Sequence, residues 1–131
     1  MAQKSNQATM LACQIAIPPM TSVAGRDAHL EHSAKKVCQS LEQAMADLVV
    51  LPELSSIDYA RDTFAALDVL AEPLDGPSFQ VWSAVARQYN TTIVYSFPRR
   101  SKQGVHISLA AVTPQGELQG YYDKLHLAQY G

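Results

Sequence analysis

The sequence predicts an α/β layered domain in which a mixed sheet is covered by helices on one face. Two features of the order of elements carry this expectation. Strand-like and helix-like patterns alternate in the first half of the chain, whereas the last third reads as consecutive strands joined by tight turns. A third is composition: 131 residues, 47% hydrophobic and 17% charged, match one globular domain and not a disordered chain.

Taken in order, residues 1–9 form a polar tail and residues 10–131 the domain portion. The first strand candidate is Leu11 to Ile17, stopped by Pro18-Pro19. A helix is expected from about Gly25 to Ala46, because Leu30, Ala34, Val37, Leu41, Ala44 and Leu48 recur at helical spacing, with Cys38 bordering the stripe. Leu48-Val49-Val50-Leu51 is apolar without alternation, which suits a strand covered on both faces. Pro52 ends it. A short helix is expected around Thr63 to Leu70. Asp75-Gly76-Pro77 opens another helix, whose buried face is Phe79, Trp82, Val85, Ala86 and Tyr89 and whose C-terminal cap is Asn90. Thr91 to Phe97, His106 to Thr113 and Leu118 to Leu127 read as strands, with a turn near Gly104 and a hairpin at Pro114-Gln115-Gly116-Glu117. Strands apolar on both sides need a second cover, and these residues supply none.

Charge and motifs exclude several functions. A formal net charge of -2 without a basic stripe argues against nucleic acid as partner. Arg99-Arg100-Ser101-Lys102 reads as a solvated hairpin loop. The apolar run at the N-terminus is too short to span a bilayer, so a cytoplasmic protein without membrane contact is expected. Cys13 and Cys38 read as buried free thiols. The histidines are scattered; His29 and His32 share a helix at i, i+3 but lack a third ligand nearby, so they read as solvated and no metal is expected. Nucleotide-binding readings fail for want of a Gly-rich phosphate loop.

Two segments carry chemistry. Leu51-Pro52-Glu53-Leu54 puts a carboxylate at the end of a buried strand, where open α/β sheets place ligands and where partial desolvation favours a general base. In Tyr121-Tyr122-Asp123-Lys124-Leu125-His126-Leu127, alternation puts Tyr122, Lys124 and His126 on one face and the two leucines on the other. Taken alone, each also has a plain structural reading: a helix-capping or ion-paired glutamate, and a lysine guarding a wet edge strand.

In order and spacing together, the first strand, the long helix, LVVLPEL at 48–54, the DGP helix start at 75–77, the turn Thr113-Pro114-Gln115-Gly116 and the GYYDKLHL strand at 120–127 resemble the nitrilase superfamily of carbon–nitrogen hydrolases. The similarity runs from about Leu11 to the last residue. It implies the N-terminal half of an α-β-β-α sandwich and a Glu–Lys–Cys triad that needs no cofactor. Glu53 matches the family's general base and Lys124 the lysine that stabilises the tetrahedral oxyanion. The implied reaction is hydrolysis of a small amide, a nitrile or a carbamoyl amine through a thioester acyl-enzyme with release of ammonia or an amine, and family members commonly pair, so a homo-oligomer is expected of the whole protein. Tyr59, soon after the glutamate, is a candidate pocket residue, with an ordinary loop aromatic as the alternative. His126 is expected to hydrogen-bond structurally, and Trp82 to sit in the core.

The resemblance also defines what is missing. In family order the nucleophilic cysteine follows the lysine, beyond Gly131, and neither Cys13 nor Cys38 stands in its place. The family's second glutamate and second sheet also lie beyond. Tyr95-Ser96-Phe97-Pro98 and Val105-His106-Ile107-Ser108 depart from common family segments and leave the substrate open. The chain is thus expected to be inactive alone. The competing reading is a non-catalytic binding or assembly module that uses its uncovered sheet face.

Overall fold

The computed structural model describes residues 7–52, 55–57 and 61–127, with side chains up to Lys124. Five strands form one sheet in the order β1-β2-β3-β4-β5. They are β1 (Met10–Ala12), β2 (Leu48–Val50), β3 (Thr92–Ser101), β4 (Gly104–Val112) and β5 (Leu118–Leu127). The first three strands run parallel to one another, whereas β3, β4 and β5 pair antiparallel. The helices are α1 (Val23–Gln43), α2 (Arg61–Ala65), α3 (Leu67–Leu70) and α4 (Pro77–Tyr89). The mixed sheet with helices is the expected fold class.

Local chemistry explains most boundaries. Helix α1 starts two residues before the expected Gly25 because the Ser22 hydroxyl accepts the Gly25 N–H at 3.0 Å. It stops at Gln43, and Asp47 then ties the chain to the start of β1: Thr9 N–H donates to its carboxylate at 2.8 Å. The first strand is much shorter than the expected Leu11 to Ile17. It can pair only while β2 runs beside it, and β2 ends ahead of Pro52, which has no N–H to donate. Helix α4 has Pro77 in its first turn and ends on Asn90 in the left-handed region at φ 51°, both as expected. The single helix expected around Thr63 to Leu70 is two short ones, α2 and α3.

Strand β3 is longer than its sequence suggested. It continues through Pro98 to Ser101, so Arg99 and Arg100 belong to a strand and not to a hairpin loop. The turn itself is only Lys102-Gln103, and Gly104 takes φ 124°, which favours glycine. Pro98 is tolerated because β2 pairs with β3 only as far as Val94. Beyond that point Glu72 occupies the vacant edge: its N–H donates to Pro98 O at 3.0 Å, and Arg100 N–H donates to Glu72 O at 2.8 Å.

Register sorts the two faces of the sheet. Val49, Ile93 and Val112 align across β2, β3 and β4, and with Tyr95, Phe97 and Ala110 they meet Val37, Leu41, Trp82 and Ala86 of the helices in the main core. The alternate positions face away from the helices. There Met10 is 60%, Leu109 43% and Tyr122 66% exposed. A smaller cluster, Met20, Ile57, Leu70 and Ile107, covers one end of the sheet. The side facing away from the helices is thus covered in part: Ser96, opposite Leu109, and Ile107 are buried, whereas Met10, Leu109 and Tyr122 are exposed.

Candidate functional site

Glu53 and Tyr59 lie outside the described residues. Leu51 before Glu53 and Ser55 after it are both hydrogen-bonded to β3. Leu51 N–H donates to Val94 O at 3.0 Å, which carries the chain past the end of β2. Ser55, two residues after the glutamate, is buried and donates its hydroxyl to Ser96 O of β3 at 3.1 Å. Its own carbonyl accepts a hydrogen bond from His29 Nε2 of α1 at 2.9 Å. His29 is 3% exposed, which corrects the expectation of a solvated helix histidine; His32, one turn on, is exposed. The sequence offers no local sign of this, because the partner carbonyl lies 26 residues away.

Lys124 sits at an irregularity in β5. Asp123 pairs with Ser108 and Leu125 with Ile107, so Lys124 is an extra residue with no position opposite it. This is a β-bulge, a device that re-aims side chains and recurs near active sites. It also breaks the regular alternation expected from Tyr122 to His126. The Lys124 side chain is exposed. His126 pairs in register with His106, and its side chain lies outside the described part of the structure.

These two regions meet at the same end of the sheet. Ser55 is anchored at Ser96, and two residues further along β3 Pro98 pairs with Ile107, the residue opposite the bulge. Strands β3 and β5 are two strand spacings apart, or roughly 10 Å. The two motifs are 71 residues apart in sequence, counting from Glu53 to Lys124 as 124 − 53.

Charged groups near Lys124 are organised on the helix-facing side. Arg99 donates to Asp123 through Nε at 2.9 Å and Nη2 at 2.6 Å, a bidentate pair. Ser108 Oγ adds a hydrogen bond to the same carboxylate at 2.6 Å. These hydrogen bonds, that from Arg99 foremost, pull the Asp123 carboxyl down to about 2. The Arg99 guanidinium also lies 5.0 Å from the centre of the Tyr121 ring. Ser101 Oγ and the buried His106 share a hydrogen bond of 2.8 Å nearby.

Glu72 is the one strongly buried carboxylate among the described residues, at 1% exposure. Its oxygens accept from Ser78 N–H at 2.6 Å and Ser78 Oγ at 2.8 Å, so it caps the first turn of α4 from outside the helix. Burial pushes its carboxyl up.

Cys13 and Cys38 are free and half-buried, less enclosed than expected. Burial raises both thiols, the opposite of what an activated nucleophile requires. Among the described residues no group of three or more His, Cys, Asp or Glu side chains is placed to hold a metal ion. No helix among them is long and apolar enough to cross a membrane. A groove of about 500 Å3 runs between α1 and α4, lined by Ala24, Asp27, Glu31, Pro77 and Val81 among others, and includes none of the residues around Ser55 or Lys124.

Comparison with known proteins bears on the family and the fold. The carbon-nitrogen hydrolase family model matches residues 12–130. A hydrolase of Pseudomonas protegens is 37% identical over 89 residues, covering 67% of this chain and 31% of that protein. The chloroplastic omega-amidase of Arabidopsis thaliana is 31% identical over 100 residues, covering 72% of this chain and 26% of the relative. The chain therefore spans about a third or less of the length of these relatives. Among solved structures, an N-terminal amidase superposes with a TM-score of 0.74 at 18% identity, over 92% of this chain and 28% of that one.

Proposed function

The chain belongs to the carbon–nitrogen hydrolase family, and from that premise we propose that it is the N-terminal portion of a small-molecule amide hydrolase whose base is Glu53 and whose oxyanion cation is Lys124. The nucleophile in this reading is a cysteine that follows Gly131 in the whole protein. One observation supports it above others. The segment flanking Glu53 and the bulge carrying Lys124 converge on one end of the sheet, and the family match spans both.

The chemistry follows from those roles. Glu53 takes the proton of the cysteine thiol, and the sulfur attacks the amide carbon. The carbonyl electron pair moves onto oxygen, where the Lys124 ammonium faces the developing charge. The tetrahedral centre collapses, the C–N bond breaks, and the nitrogen leaves with the proton Glu53 held. A water molecule, deprotonated by Glu53, then attacks the thioester carbon, the C–S bond breaks, and the acid is released as the cysteine sulfur takes the proton back from Glu53. A preorganised cation at an oxyanion contributes a few kcal/mol to the barrier, and a placed base about 10²- to 10⁴-fold in rate. Neither Cys13 nor Cys38 serves: Cys13 follows β1 and packs toward the main core, Cys38 lies on α1, and both thiols are raised. Relatives named an omega-amidase and a probable nitrilase support a substrate class of amides and nitriles alike.

The test is turnover of short-chain amides by the whole protein. Lys124→Ala and Glu53→Gln should each lower kcat by about 10²-fold or more in folded protein. Full activity in either variant refutes the role given to that residue. Should the whole protein hydrolyse nothing, the open sheet face, with Met10, Leu109 and Tyr122 exposed, makes an assembly module the reading to pursue.

A further inference from the structure

The bulge at Lys124 raises a mechanical question. A bulge weakens register, and a slip of one position turns every following side chain to the opposite face. A lysine that must meet an oxyanion within a fraction of an ångström tolerates no such slip. Something must therefore hold β5 at this point.

We propose that Arg99 and Asp123 form a clamp that pins the bulge and so aims Lys124, which makes both of them positioning residues. Three contacts define it. Asp123 is the last paired residue before the bulge, and the guanidinium of Arg99 reaches it from β3, across the whole width of β4. Ser108, directly opposite Asp123 in β4, donates to the same carboxylate. Tyr121, on the same face two residues earlier, lies under the guanidinium at 5.0 Å. Three strands are thus tied at one carboxylate immediately next to the lysine. If β5 slipped by one residue, Asp123 would turn to the open face and lose both Arg99 and Ser108. Lysine at position 99 would keep the charge but not the two-pronged fork. The carboxylate is ionised throughout the range in which an amidase works, because Arg99 holds its carboxyl near 2.

The clamp rests on the role proposed for Lys124, so the test separates the two. In the whole protein, kcat and KM for an amide are measured on folded, monodisperse Arg99→Ala, Asp123→Asn, the double variant, Arg99→Lys, Ser108→Ala and Lys124→Ala. The expected result is a fall in kcat of roughly 10- to 100-fold for Arg99→Ala and Asp123→Asn, with KM within about twofold, since misaimed groups lose transition-state contacts first. The double variant should be no worse than the worse single, because the pair acts as one unit. Arg99→Lys should recover part of the loss, and Ser108→Ala, a milder change that leaves the ion pair intact, should show a smaller fall. A residue that only stabilises the fold would lower the melting temperature and leave kcat per folded molecule unchanged. Unchanged kcat in Ser108→Ala and in whichever of the other two variants folds, or fully additive losses in the double, overturns the clamp. If Lys124→Ala alone abolishes turnover in that case, the oxyanion role survives without it. If Lys124→Ala stays active, that role fails, and the clamp fails with it.

Discussion

The two faces of the sheet differ more than any other pair of regions in this chain. Toward the helices, Val49, Ile93, Tyr95, Phe97 and Val112 are buried almost completely, and the sheet packs on Val37, Leu41, Trp82 and Ala86. On the other side, at alternate positions of β1, β4 and β5, Met10, Leu109 and Tyr122 are exposed. The strand composition demands two covers, and the described residues provide one in full and the second only at one end, around Ile107. The chain covers only 31% of the length of its Pseudomonas relative.

Substitutions on the two faces should therefore behave differently. The largest effect is expected in the core: Phe97→Ala should destabilise the chain by about 3–5 kcal/mol, read as a shift of the urea midpoint. If the loss were below about 1 kcal/mol, the helix-covered face would not be the main source of stability. An intermediate effect is expected at the edge between the faces. Glu72→Ala leaves the Ser78 N–H and hydroxyl without their acceptor, at about 1–3 kcal/mol. The smallest is on the open face: Leu109→Ser should change unfolding by no more than about 0.5 kcal/mol yet reduce self-association in sedimentation. A stability loss like that of Phe97→Ala would mean that the open face is covered within this chain after all.

Glu72 also gives the comparison a pH axis. Its carboxyl is raised by burial, so the folded chain holds the proton longer than the unfolded chain does. Its contribution is thus greatest below the ordinary carboxyl value of 4.5 and declines as pH rises from there toward the raised folded value. Asp123, lowered to about 2 from 3.8, has the opposite sign: its contribution is complete above 3.8 and lost as pH falls toward 2. Glu72→Gln should flatten the decline above pH 4.5, and comparison of urea midpoints at pH 4 and pH 7 with those of the parent chain would show it. An unchanged slope would mean that the buried carboxyl is not the group responsible.

Much of the fold could be read directly. The helical stripe of Leu30, Val37 and Leu41, the Pro77 start and Asn90 cap of α4, and the two final hairpins all arise from local periodicity and turn chemistry, which are written in neighbouring residues. The motifs LPEL and YYDKLHL were legible as candidate chemistry for the same reason. Contacts that depend on distant partners were not. Arg99 looks like a solvated loop residue until Asp123, 24 positions on, is set opposite it across β4. His29 looks solvated until Ser55 arrives beneath it.

The sequence by itself determined the element types, their order, the apolar character of both strand faces and the family. Each depends on spacing along the chain, or on residue types that a family pattern records. Tertiary structure alone decided that β1 stops at Ala12, that β3 runs on through Pro98, that a bulge falls on Lys124, and that Arg99, Ser108 and Asp123 meet beside it. Strand ends, register and ion pairs are properties of two or three segments at once, and no single segment carries the information about where its partner stops.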